Sequence, residues 1–235
     1  MAAVGLDRVG AVSGTVALVG GGEFADGCSF DTGLLEASGA SEVIVLPTGA
    51  AYEHPQRSVD RAVTWFDRLG IAARGLDVLA RPDALSADNA AVVGASPFTY
   101  LVGGSPMHVR SVLKDTPVWD ALVAAWRGGA VLAGSSAGAM VLCDPMVDPR
   151  GGAFTLGLGL LPGLAVIPSH DHWSEDAAHR TRKMSPADLV LAGIDERTAL
   201  ILGPDGTWRV EGAGRVVVFV GGEPAELEVL SGLAL

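Results

Sequence analysis

Val131-Leu132-Ala133-Gly134-Ser135-Ser136-Ala137-Gly138-Ala139-Met140 decides how the rest of the chain is read. The apolar run from Ala130 to Ala133 suits a buried strand, and the Ala, Met, Val and Leu residues beyond it suit a helix. Between them Gly134-Ser135-Ser136-Ala137-Gly138 fits G-x-S-x-G, which puts Ser136 at the nucleophile position of a sharp strand-to-helix turn. Such a turn is strained, and a bulky side chain at either glycine would keep strand and helix apart. Ser136 should therefore project at the carboxyl edge of a sheet, where backbone N–H groups and the helix dipole can hold an oxyanion. The plainer alternative is a glycine-rich turn with an N-cap serine.

Upstream, Thr116 to Trp126 reads as a helix closed by Gly128-Gly129, and Phe98 to Val102 as a strand ending in Gly103-Gly104-Ser105-Pro106. If these two strands are neighbours, as successive strands often are, amides at Gly103 or Gly104 sit beside Ser136 as a second oxyanion donor. Further back lie strand candidates at Thr15–Val19, Val43–Leu46 and Ile71–Leu79. Helices are expected over Asp31–Ser38, from His54-Pro55 to Leu69, and over Ser86–Val93 with Ser86 as cap. This β-α alternation predicts a mostly parallel sheet covered by helices on both faces. Gly20, Gly22 and Ala25 match the dinucleotide fingerprint G-x-G-x-x-A, but the next strand ends in Pro47-Thr48-Gly49 rather than an acid. The expected reading is a glycine-lined loop at the sheet edge, with no cofactor.

Downstream the pattern changes. Asp144 to Gly152 is turn-rich, and Leu164 to Pro168 reads as a strand delivering Ser169-His170-Asp171-His172-Trp173. Acids and then histidines after the serine give one of the known triad orders. Asp148, with Asp144 as second choice, is expected to orient the imidazole, and the basic helix from Ser174 to Met184 offers Arg180 or Arg182 to a substrate carboxylate. Antiparallel strands follow Ala192, and no repeat or linker interrupts the chain, so 1–235 is expected to form a single α/β domain with C-terminal antiparallel strands.

The 235 residues suffice for a self-sustaining core, and 49% of them are hydrophobic. A net charge of −11 without any basic run argues against nucleic-acid binding. No apolar stretch is long enough for a bilayer and the N-terminus lacks a signal-peptide pattern, so no membrane association and a cytoplasmic location are expected. Cys28 and Cys143 are too few for a disulfide framework and are expected to be packing residues.

With Gly103-Gly104, the G-x-S-x-G turn, Gly157-Leu158-Gly159-Leu160-Leu161-Pro162-Gly163, His170 and Gly193 to Leu200 in the same order, the chain resembles the dipeptidase E and cyanophycinase family of serine peptidases. The resemblance implies a class I glutamine amidotransferase-like, flavodoxin-like fold with serine where the amidotransferases carry cysteine. It implies hydrolysis of small acidic peptides: dipeptidase E members cut after an N-terminal aspartate, and cyanophycinases release aspartyl–arginine units from a storage polymer. It matches Ser136 to the nucleophile, His170 to the general base, and Ala137 with Gly104 to the oxyanion donors.

The expected chemistry is attack by Ser136 on an amide carbonyl, with His170 taking its proton. His172 stands as the alternative base or as a substrate contact, alongside Gly103, Ser105, Arg180 and Arg182. The expected partners are a small acidic peptide and, in a homodimer, a second copy of the chain. Two rivals remain open. His170-x-His172 on an extended segment would point both rings the same way, as a metal site needs, although no third ligand is placed and no metal is assigned. A non-catalytic binding protein on the same fold is the other.

Overall fold

The computed structural model describes residues 14–150 and 152–233. The first half runs β1 (Thr15–Val19), α1 (Phe30–Ser38), β2 (Glu42–Leu46), α2 (Pro55–Arg68), β3 (Ala72–Gly75), α3 (Arg81–Ala84), α4 (Ala87–Gly94), β4 (Phe98–Leu101), α5 (Pro106–Leu113), α6 (Pro117–Arg127), β5 (Val131–Ser135) and α7 (Ala137–Leu142). Helix starts follow their local chemistry. Ser86, Ser105 and Thr116 each accept a backbone N–H at the head of α4, α5 and α6, and Pro106 and Pro117 stand in the first turns where no donor is needed. Short pairs follow, β6 (Cys143–Asp144) with β9 (Leu161–Pro162) and β7 (Met146–Val147) with β8 (Phe154–Thr155). Then come β10 (Leu164–Ile167), α8 (Glu175–Lys183), β11 (Val190–Ile194), β12 (Thr198–Leu202), β13 (Trp208–Gly212), β14 (Val216–Val220) and β15 (Glu223–Ala225).

The main sheet has the order β13-β12-β1-β5-β4-β2-β3. Strands β1 to β5 are mutually parallel, and β12 and β13 add an antiparallel edge beyond β1. Its two faces are buried in separate cores: Val16, Leu18, Ile44, Leu46, Leu101 and Leu132 point to one, and Ala17, Val19, Val43, Val45, Tyr100 and Ala133 to the other. Side chains alternate across a strand, so a strand covered on both faces reads as a continuous apolar run. The second core is aromatic, with Phe24, Phe66, Phe98 and Tyr100 in edge, tilted and stacked contacts 4.8–6.5 Å apart.

The antiparallel strands expected after Ala192 are present, pairing β11 with β14, β12 with β13 and β14 with β15, but they are shared between two sheets. β10, β11, β14 and β15 form a second sheet in which β10 and β11 are parallel neighbours joined through α8. Its β10 carries the chain to Ser169 at the edge where β1, β4 and β5 end, linked by a hydrogen bond from Ser169 N–H to the Gly20 carbonyl. No helix among the described residues is long and apolar enough to cross a membrane. Both cysteines are buried and unpaired, and burial pushes the Cys28 thiol up to about 11 and the Cys143 thiol higher still, consistent with packing roles.

Candidate active site

Ser136 is the hinge between β5 and α7, with φ 49° and ψ −107°, a backbone conformation that a non-glycine residue rarely adopts. The surrounding glycines hold it there. A Cβ at Gly134 would lie 2.6 Å from the Gly138 carbonyl carbon, and one at Gly138 would lie 2.4 Å from the Leu101 carbonyl oxygen. Strand, turn and helix meet backbone to backbone, so both positions need hydrogen for a side chain. Ser136 N–H is spent on the Val19 carbonyl at 2.9 Å, which leaves the Ala137 amide as the first free donor of the turn.

The neighbouring strand β4 ends in the glycine pair, with Leu101 in register with Gly134. Gly104 has φ +126°, and a Cβ there would lie 2.1 Å from the Gly49 carbonyl oxygen. Gly103 comes so close to the elbow that its Cβ would sit 3.3 Å from that of Ser136. The expected adjacency of Gly104 and Ser136 is therefore present. Ser105, expected as a substrate contact, caps α5: its hydroxyl accepts from His108 N–H, and its own N–H donates to the Gly49 carbonyl.

Among the described residues, two cavities meet at Ser136. One, of about 440 Å³, is lined by Met140, Trp173, Arg150 and Arg180. The other, of about 450 Å³, is lined by Glu23, Glu53, Glu196, Arg57 and Arg61. They share Gly104, Ser136 and Ser169. Arg182 lies outside both. Its guanidinium stacks 4.5 Å over the Phe219 ring and donates to the Gly222 carbonyl, so it ties α8 to the second sheet.

The two histidines occupy a 3-10 turn, His170–His172, not an extended segment, and their rings part company. His170 is half-buried, with Nδ1 3.8 Å from Asp195 Oδ1. It fits only because residue 193 is glycine, where a Cβ would come within 2.4 Å of the imidazole. Burial lowers its pKa below the usual histidine value, with Asp195 opposing that shift. His172 is 66% exposed, and its Nε2 stands 3.5 Å from Asp171 and 3.6 Å from Glu196. Among the described residues no hydrogen bond joins Ser136 Oγ to either ring, and no group of three His, Cys, Asp or Glu side chains is arranged to hold a metal ion.

The acids expected beside the histidine are engaged elsewhere. Asp148 forms a two-pronged pair with Arg150, which holds its carboxyl well down at about 2. Asp144 accepts the Gly157 N–H. The carboxylates near the imidazoles come from Asp171, Asp195 and Glu196, the last two immediately after β11. Glu196 also accepts from Ser169 Oγ at 3.2 Å and lines the second cavity with Ser136. Glu23 is a further acid that sequence reading passed over. Its only signal was its place at the end of the glycine-rich loop after β1.

A strained serine between two glycines, facing a glycine pair across the carboxyl edge of a parallel sheet, is the arrangement of a serine-nucleophile α/β scaffold. The model of peptidase family S51 matches residues 16–207, and the chain belongs to that family. It is 30% identical over 209 residues to a cyanophycinase of Trichormus variabilis, an alignment covering 81% of this chain and 66% of that one. Among solved structures, a peptidase from an acI-B1 actinobacterium superposes with a TM-score of 0.79 at 33% identity, covering 88% of this chain and 91% of the other. A putative peptidase E protein from Listeria monocytogenes, at 16% identity and a TM-score of 0.61 over 88% of this chain and 98% of its own, shares the fold.

Proposed function

We propose that the protein is a serine-type peptidase that cleaves an amide bond in a small peptide bearing a carboxylate close to that bond. The observation that carries this reading is the Ser136 elbow, strained to φ 49° and set beside Gly104 at the junction of two cavities. Ser136 Oγ attacks the carbonyl carbon, and the Ala137 and Gly104 amides receive the negative charge on its oxygen. The imidazole that takes the serine proton passes it to the leaving amine, and water then hydrolyses the ester on Ser136 with the same imidazole as base.

Of the two histidines, we assign the base to His172 and its orientation to Glu196. His170 is wedged against Gly193 and Asp195, whereas the exposed ring of His172 can rotate and shares Glu196 with the cavity that Ser136 lines. A hydrogen bond that closes only with substrate present is compatible with there being none from Ser136 Oγ to an imidazole among the described residues. Arg180, in a cavity wall without an acid among its lining residues, favours a carboxylate there, Arg150 beside it being paired with Asp148. That supports aspartyl peptides, and the cyanophycinase relatives make oligomers of aspartyl–arginine units, rather than the released dipeptide, the first to assay.

The test is labelling with a fluorophosphonate followed by intact mass, comparing wild type with Ser136→Ala. One adduct that disappears in the variant supports the assignment. An adduct that persists at another residue, or none at all on folded protein, points to a binding protein on the peptidase scaffold.

A further inference from the structure

We infer that Glu23 is a positioning residue for the serine elbow, its carboxylate bridging the ends of β5 and β4 and so fixing nucleophile and glycine pair relative to each other. This rests on the serine chemistry proposed above. Glu23 closes the glycine-rich loop that follows β1, and that loop is the knot of the site. Gly20 packs so tightly on the Ile194–Asp195 backbone that a Cβ would lie 2.2 Å from the Asp195 carbonyl oxygen. The Gly20 carbonyl accepts from Ser169 N–H, and that of Gly21 from Arg197 N–H. Gly20 and Gly21, in the fingerprint-like stretch, thus serve backbone contact with the histidine-bearing side.

From this anchored loop Glu23, only 8% exposed, reaches across to the nucleophile strand. Its Oε2 accepts from the hydroxyl of Ser135, the fully buried residue before Ser136, at 2.8 Å. Its Oε1 lies 3.7 Å from the position a Cβ would take on Gly103 and 3.6 Å from the Arg61 guanidinium. One buried carboxylate therefore holds the strand before Ser136 by a hydrogen bond and lies alongside the glycine pair, the two segments whose separation sets the distance from Ser136 to the Gly104 amide. A negative charge this near a developing oxyanion opposes its formation, and Arg61 offsets it only from a half-exposed position. The role that remains is geometric: an acceptor of fixed reach for Ser135. A neutral acceptor of the same shape should serve nearly as well.

The experiment measures the second-order rate of fluorophosphonate labelling at Ser136 in wild type, Glu23→Ala, Glu23→Gln, Ser135→Ala and the double alanine variant, each confirmed folded by its melting curve. Misplacement of reacting groups by fractions of an ångström is expected to slow labelling about tenfold or more in each alanine variant. The double variant should be no slower than the slower single one, because both remove the same contact. Glu23→Gln should recover the rate to within about threefold of wild type, since its amide oxygen accepts the same hydrogen bond. Labelling of Glu23→Ala at the wild-type rate, a glutamine variant as slow as the alanine, or additive losses would each overturn the inference and leave the peptidase reading intact. If Glu23→Ala does not fold, Ser135→Ala and Glu23→Gln decide on their own. Failure of wild type itself to label overturns the peptidase reading and this inference together.

Discussion

The two halves of the site are built by opposite means. On the nucleophile side, five consecutive residues make the elbow, and backbone contacts at Gly134 and Gly138 leave it no freedom. On the histidine side, a 3-10 turn at the end of β10 meets acids that follow β11, some 25 residues later, and its outer imidazole stays 66% exposed. The lesson is one of division of labour on the proposed mechanism: the strained serine is locked, and the imidazole assigned to carry its proton is left room to move.

The comparison breaks most sharply at Gly138. Gly138→Ala would drive a methyl group into the Leu101 carbonyl, and the expected result is loss of fluorophosphonate labelling by more than about a hundredfold, together with a lower melting temperature. If that variant labels normally, the elbow is not locked. On the other side, His172→Gln should cost about as much in labelling rate with little change in stability, whereas His170→Gln should mainly destabilise the fold. The reverse pattern would return the base to His170.

Beneath the nucleophile side lies a sharper thermodynamic test. Asp31 is fully buried, accepts from Trp65 Nε1 at 2.8 Å, and burial pushes its carboxyl up to about 7. Its unfolded value is near 3.8, so the native state holds a proton that the unfolded chain releases. Its contribution to stability is fully present below about pH 4, falls between pH 4 and pH 7, and is lost above. The whole decline amounts to about 4 kcal/mol at most. Asp31→Asn should flatten that limb in melting curves taken from pH 4 to pH 8, and a limb that stays would remove Asp31 as its source. The smallest effect is expected at Asp148→Asn. The pair with Arg150 stands in solvent, so the melting temperature should barely move and labelling should be unchanged. A large loss of labelling would bring Asp148 back toward the base.

The same division explains what could be read in the chain. The elbow, the glycine pair and the parallel strands were legible because each is a local pattern: small residues where backbones touch, and unbroken apolar runs where both faces are covered. The second sheet was not, because β10 and β11 are joined through Glu175–Lys183, a helix too polar to announce a β-α-β unit. The acids near the imidazoles were missed for a related reason. Asp144 and Asp148 follow the serine closely in sequence, but their carboxylates are taken up by Gly157 and Arg150. Asp195 and Glu196 lie far along the chain and reach the histidines only through the pairing of β10 with β11. Spacing along a sequence carries no information about which strand ends a sheet will bring together.

Among the described residues the two cavities share only Gly104, Ser136 and Ser169 in their linings, which gives the nucleophile a door on each side. On the proposed mechanism, the half of the substrate carrying the new amine can depart through its own door while the acylated half stays seated. The vacated door then admits the water that finishes the reaction, so turnover requires no exchange of places within a single pocket.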